Sequence, residues 1–197
     1  MERVEQMASL AIDIMRESLV KDVKEIMSSL EQKNQQIADE ITSAVEAAMQ
    51  EAGHRQKAGE KGAVSYISFS FLQSNLLMDR FAFRVDAWDG RFMLDDSEAA
   101  SEWDFRTLVS CSGPDMDAVA KKIRETMVRV QNYELRELER AYKVNYFALA
   151  VEVLRAALPL SIDQAKQGSV ELSPEIQFTV GPYMEKQQFI YTWRADR

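Results

Sequence analysis

The sequence predicts an α+β protein in which long amphipathic helices pack on an antiparallel sheet of about five to six strands with two hairpin regions. Apolar residues recur at three- and four-residue steps near the N-terminus and again after Pro114, which is the spacing of amphipathic helices. In the centre and at the C-terminus they alternate with polar residues, as in half-buried strands. With 197 residues, 46% of them hydrophobic, the chain is long enough to bury a core without a metal or a disulfide.

The first element is a helical segment over residues 1–53. Neither Gly nor Pro occurs before Gly53, which is a natural end for a helix. One helix of about 50 residues would span roughly 75 Å, whereas a compact chain of this length is about 40 Å across. We therefore expect the segment either to fold back as a hairpin in the polar run 31–36, or to project as one helix that needs a partner.

The apolar stripe changes along this segment. Its first half, up to Leu30, is rich in large apolar residues and is expected to belong to the core. Its second half carries only a narrow stripe among alanines, which consists of Ile37, Ile41, Val45 and Met49. Because burying each of them is worth about 1.5–3 kcal/mol, the stripe should contact either the chain's own first helix or a second copy. We predict a homodimer with these four residues as its oligomer seam.

Residues 54–63 are polar, contain two glycines and predict a loop before an α+β domain over residues 64–197, which we expect to pack with the helical segment as one unit. Period-two alternation then predicts one strand over residues 66–71 and another over residues 77–87. The pair Asp89-Gly90 predicts a two-residue hairpin that places Ala87 opposite Phe92. A further strand is predicted over residues 105–111.

Pro114 and Asp115 begin the second helical region, which should end before Pro159 and break between Tyr133 and Asn145. The tail returns to strand spacing over residues 176–180 and 189–193. The Gly181-Pro182 pair between them predicts the second hairpin region.

Few residues in this sequence are suited to catalysis. His54 is the only histidine and Cys111 the only cysteine, and neither has a recognisable catalytic companion in the sequence. Zinc requires three or four such ligands, and no Gly-rich phosphate loop is present. We therefore predict no catalytic residues, no metal, no cofactor and no enzymatic activity, with a carboxylate-based enzyme as the third hypothesis.

Charge and composition indicate the kind of partner. The net charge is -8, whereas nucleic acids and anionic membranes both favour clustered Lys and Arg. The longest apolar run, residues 146–151, is far shorter than the roughly 20 residues of a membrane span. We expect a cytoplasmic protein whose partner is another protein or a second copy of itself, with no nucleic acid and no membrane.

The candidate binding residues lie on the predicted strands, on the face opposite the core. They are Tyr66, Arg80, Arg84 and Trp88. Arginine offers a planar donor fork and aromatic rings offer rigid contact area, so the pair is typical of sites for proteins or anions. The alternative is a solvent face, or a face covered by the protein's own long helix.

Our leading hypothesis is a non-catalytic protein–protein interaction protein, such as an oligomeric adaptor or a chaperone-like protein. The alternative is a small-molecule-binding protein with an apolar pocket between sheet and helices, polarised by an arginine. Its expected lining is Phe81, Phe83, Phe178 and Trp193.

Overall fold

The computed structural model describes residues 2–109, 114–164 and 170–194 and confirms an α+β fold. Its elements in chain order are α1 (Glu2–Lys57), β1 (Val64–Phe71), α2 (Gln73–Leu77), β2 (Ala82–Trp88), a 3-10 helix (Phe92–Leu94), β3 (Ala100–Asp104), α3 (Met116–Arg124), α4 (Asn132–Gln164), β4 (Leu172–Pro182) and β5 (Gln188–Arg194).

The described strands form one five-stranded sheet in the order β3-β2-β1-β4-β5. The ladders β1–β2, β2–β3 and β4–β5 are antiparallel, but β1 and β4 pair in parallel. The predicted wholly antiparallel sheet is therefore wrong in one ladder. Between β1 and β4 the chain forms β2, β3 and the three α-helices α2, α3 and α4, and a connection of that length can return a strand in either direction.

Helix α1 is continuous over 56 residues, so the chain does not turn back at residues 31–36. That run contains neither Gly nor Pro, and Gln35 and Gln36 each bond a carboxylate four residues on, over 2.9 and 3.0 Å. The helix also passes Gly53, where the sequence predicted its end. It ends at Lys57, and the φ of 76° at Gly59 allows the amides of Gly59 and Glu60 to bond the last carbonyls.

The second half of α1 lies at the centre of the core, contrary to the sequence-based prediction. Ile37, Ile41, Val45 and Met49 are at most 3% exposed and belong to the cluster formed with the sheet and α4. Alanines beside them let the helix approach the sheet, and Ser101 Oγ on β3 bonds the Ala44 carbonyl over 2.6 Å. The predicted oligomer seam is thus an intramolecular contact, inaccessible to a second copy in this fold.

The first half of α1 is the more exposed half. Ile12, Val20 and Met27 are 54%, 47% and 56% exposed. Only its start has a separate small core, in which Met7 and Ala11 pack with residues of α3 and the beginning of α4. The large apolar residues that suggested a core stripe are thus only partly covered.

The pair Asp89-Gly90 does not form the predicted tight hairpin. Phe92 lies in the 3-10 helix instead of opposite Ala87, Val85 pairs with Ser101, and residues 89–99 form a longer connection. Asp95, in that connection, accepts the amides of Asp89 and Ser97 over 3.0 Å each and pairs with the buried Lys61. These bonds replace those of a two-residue turn.

Other predicted boundaries also shift. The strand predicted from residue 77 begins at Ala82, because residues 73–77 form α2. Residues 105–109 follow β3 without strand structure, and residues 110 and 111 lie outside the described residues. The helix break falls at residues 125–131, and α4 continues past Pro159. The start of α3 after Asp115 and the β4–β5 hairpin agree with the sequence.

We expect Ile41→Ala to lower the free energy of unfolding by about 2–5 kcal/mol, because it leaves a cavity in the core. The matched control is Ile12→Ala on the exposed half of α1, which should change it by less than about 0.5 kcal/mol. Urea denaturation followed by circular dichroism measures both. Equal losses in the two variants would contradict the assignment of the core.

Candidate functional site

The sheet face opposite the buried aromatic core brings three of the four predicted binding residues together. Tyr66 pairs with Trp88 across β1 and β2, and Arg84 lies four residues before Trp88 on the same face. Arg80 lies just before β2 and outside this group. The alternation in the sequence therefore predicted the shared face correctly, except for Arg80.

Both arginines bind carboxylates of their own chain. The Arg84 side chain bonds Asp86 over 2.8 and 3.0 Å, pairs with Glu98 and lies 4.8 Å over the Tyr183 ring. Arg80 bonds both carboxylate oxygens of Glu102, over 2.6 and 2.8 Å. Their guanidinium groups therefore serve intramolecular ion pairs.

Asp86 explains why Arg84 is needed there. Asp86 is only 1% exposed. Burial raises the pKa of its carboxyl above the ordinary value, although the hydrogen bonds and charge of Arg84 act to lower it. The same contacts raise the pKa of Arg84 against the effect of its own burial.

Trp88 holds a connection against the sheet. It is 6% exposed, and its Nε1 donates to Ser68 Oγ over 2.7 Å. The Phe92 ring lies 4.7 Å from the Tyr66 ring and 6.3 Å from the Trp88 ring. These aromatic residues thus hold the connection 89–99 on this face, and little of Trp88 is left to contact a partner.

An acidic cluster in that connection is missing from the sequence-based prediction. The side chains of Lys61 and Asp95 are fully buried and paired. Burial acts to raise the pKa of Asp89, but hydrogen bonds from Arg91 and from the Gly62 amide outweigh it and hold the pKa at about 2. These charges pair with one another and hold the loop.

A second unpredicted polar group joins the two long helices. Asp22 of α1 is buried, and one of its oxygens accepts the hydroxyls of Tyr142 and Tyr146 of α4 over 2.9 and 2.5 Å. Burial, followed by the bond to Asp22, raises the pKa of Tyr146. The sequence feature that could have indicated this polar group is an aspartate within an apolar stripe, together with two tyrosines four residues apart.

Of the other titratable candidates, the structure describes only His54, which has no catalytic surroundings among the described residues. His54 lies inside α1 instead of the predicted loop, mostly exposed and 3.8 Å from Glu51. Cys111 is outside the described residues. Within the described part of the chain, no three His, Cys, Asp or Glu side chains are grouped so that they could hold a metal ion.

An open apolar groove with a volume of about 400 Å³ lies between α1 and α4. The lining comes from both helices and includes Val23, Met27 and Leu30 of α1 and Leu149, Val153 and Ala156 of α4. Between residues 144 and 162, α4 carries only two charged residues, Glu152 and Arg155, which bond each other over 2.9 Å. This region is thus almost free of charge.

Residues Asn132–Ile162 of α4 are also long and apolar enough to cross a membrane, but half of the most apolar window is buried inside the protein. Core helices share this property, so it is weak evidence of a span. The same composition leaves the uncovered half of α4 apolar, with Val144 49% and Leu160 54% exposed.

A smaller cavity of about 240 Å³ lies on the other flank of α4, against the sheet. Its lining includes Phe71, Leu76 and Phe83 on one side and Phe147 and Val151 on the other. Of the four aromatic residues predicted to line such a pocket, only Phe83 does so. Phe81 and Phe178 contact aromatic neighbours instead, and the lining contains no arginine.

No known protein family matches this chain, and neither a curated protein nor a solved structure is significantly similar to it. The function must therefore be argued from the surfaces described above.

We expect Arg84→Met to destabilise the fold by about 3 kcal/mol at pH 7, because it leaves the buried Asp86 carboxylate without its partner. The pKa of Asp86 is already raised on folding, so the folded state binds its proton more tightly and stability falls as pH rises above the unfolded value of about 4. Without Arg84 that pKa rises further. The loss of unfolding free energy in Arg84→Met relative to the parent should therefore be smaller at pH 4 than at pH 7.

Urea titrations at the two pH values measure this difference. The double variant Arg84→Met with Asp86→Asn should lose the added pH dependence, and Arg80→Met, which removes an exposed pair, should have little effect. If Arg84→Met and Arg80→Met lose the same unfolding free energy at both pH values, the structural role assigned to Arg84 is contradicted.

Proposed function

We propose that this chain is a non-catalytic protein-binding protein, of the adaptor or chaperone-like kind, and that its binding surface is the groove between α1 and α4. The observation that carries the proposal is the exposed apolar surface on and beside this groove, including Met27 and Leu160. Contiguous apolar surface of this kind marks interaction sites in many proteins.

The shape of the groove supports a helical partner. Contacts advance in the same direction along both helices, from Asp22–Tyr142 to Thr42–Ser161, so α1 and α4 run parallel. The α1 side of the groove extends from Val23 to Asn34, which is three turns or about 16 Å. Grooves between helices bind the apolar face of an amphipathic helix through residues three and four apart.

Electrostatics narrow the chemistry of the partner. The polar residues that line the groove are Asn34 and Glu152, and Glu152 is already paired with Arg155. A strongly charged partner would find no free countercharge in this lining. The occupant that fits is therefore an apolar helical protein surface with no net charge.

The remaining polar clusters support a binding role over a catalytic one. Asp22 is held by two tyrosines, Asp86 by Arg84, and Asp95 by Lys61 and backbone amides. Each of these buried carboxylates has a structural use. A carboxylate-based enzyme is therefore the less supported hypothesis.

We expect a photo-crosslinking amino acid in place of Met27 to form discrete adducts with protein in intact cells. The matched control position is Lys21, which is exposed on the same helix and does not line the groove. Adducts from position 27 should disappear when Ala156→Arg narrows the groove, while circular dichroism of that variant stays unchanged. An absence of discrete adducts at position 27, or equal adducts at position 21, would contradict the proposal.

A second candidate function, binding of a small apolar molecule, is favoured by the cavity between α4 and the sheet. Its walls are aromatic and aliphatic, and Gln188 is the polar side chain that lines it. Small-molecule sites are commonly apolar with few polar groups. An uncharged or weakly polar ligand fits this cavity better than the anion expected from the arginines.

We expect the uncharged dye N-phenyl-1-naphthylamine to bind this cavity saturably and Val151→Trp, which fills it, to weaken that binding at least fivefold. Ala156→Trp is the matched control, because it changes the groove flank of α4. Fluorescence titration measures both. If only Ala156→Trp weakens binding, the dye occupies the groove and the cavity is not a binding site.

A further inference from the structure

We infer that the occupant of the groove is a second copy of this chain, with α4 of each copy packed antiparallel on α4 of the other. This inference rests on the proposed function, since it names the partner of the same surface. The predicted homodimer would then form through the exposed first half of α1 and through α4, and not through the buried seam 37–49.

The charges on α4 are self-complementary. The exposed surface between residues 144 and 162 carries one acid, Glu152, and one base, Arg155. A twofold axis between these positions would place each Glu152 beside the Arg155 of the other copy, because an isologous contact between i and j is repeated between j and i. A parallel arrangement would place like charges together, so the charges select the antiparallel one.

The net charge makes this pairing selective. The whole chain has a net charge of -8, so most contacts between two copies would be repulsive. This segment of α4 carries a net charge of zero and lies next to uncharged groove residues. It is therefore a surface on which two copies can meet without that repulsion.

The side chains on the solvent side of α4 permit a close approach. Ala148 and Ala156 are exposed and lie one turn before and one turn after Glu152. No long side chain at these positions would hold two helices apart. Met27, which lines the groove, and Leu160, one turn after Ala156, would then be covered by the second copy, forming a layer of four helices.

The experiment is a charge-exchange series, measured by sedimentation velocity of the purified full chain. The parent should form a dimer at micromolar concentration. Glu152→Arg and Arg155→Glu should each weaken dimerisation at least tenfold, because symmetry creates two like-charge contacts in each homodimer. An equimolar mixture of the two variants should form heterodimers, and the double exchange should restore association to within about threefold of the parent.

Two controls separate association from folding. Circular dichroism should show the same helix content in every variant. Lys122→Glu breaks the surface pair Lys122–Glu125 at the end of α3, outside α1 and α4. This variant should leave association unchanged.

The outcomes distinguish this inference from the proposed function. The inference is overturned if the parent sediments as a 22.5 kDa monomer even at a concentration 100-fold above micromolar. It is also overturned if the parent dimerises but the charge exchanges on α4 do not change its association. Neither result removes the proposed function, which is contradicted only if position 27 forms no specific protein adduct in cells.

Discussion

The packing of the second half of α1 against the sheet and α4 is the contact on which the rest of the structure depends. Ile37, Ile41 and Val45 enter the same core as the strands and the middle of α4. With a rise of 1.5 Å per residue, the 56 residues of α1 extend over about 84 Å, far beyond the sheet that they pack on. The N-terminal half of the helix therefore needs other contacts.

The neighbours that cover α1 differ along its length, and the groove lies where α4 is the main one. The first turns of α1 pack on α3 and the start of α4, and residues from Ile37 onward pack on the sheet. Between them, α4 is the main neighbour, and the bonds Asp22–Tyr146 and Thr42–Ser161 join the two helices at each end of the groove. Apolar residues between these bonds are covered on one side only.

The charged residues explain why the apolar groove, and not the polar sheet face, is the more available surface. On the sheet face, Arg84 neutralises a buried carboxylate and Trp88 anchors a connection. The charged groups on that face therefore stabilise the fold. On residues 144–162 of α4 the Glu152–Arg155 pair can exchange partners at little cost, because both residues lie at the surface and exposed ion pairs contribute little to stability.

The sequence by itself determined the α+β class, the start of α3 after Asp115, the β4–β5 hairpin, and the shared face of Tyr66, Arg84 and Trp88. Each depends on local spacing or turn chemistry, which is encoded within a few residues.

Tertiary structure decided which half of α1 is core, because periodicity shows that a face is apolar but not what will cover it. It also decided the parallel β1–β4 ladder, since strand spacing is the same for both directions. The connection 89–99 depended on Lys61, which is 34 residues from Asp95 in the chain. Contacts between residues so far apart arise only after the elements have packed, and the groove between α1 and α4 exists for the same reason.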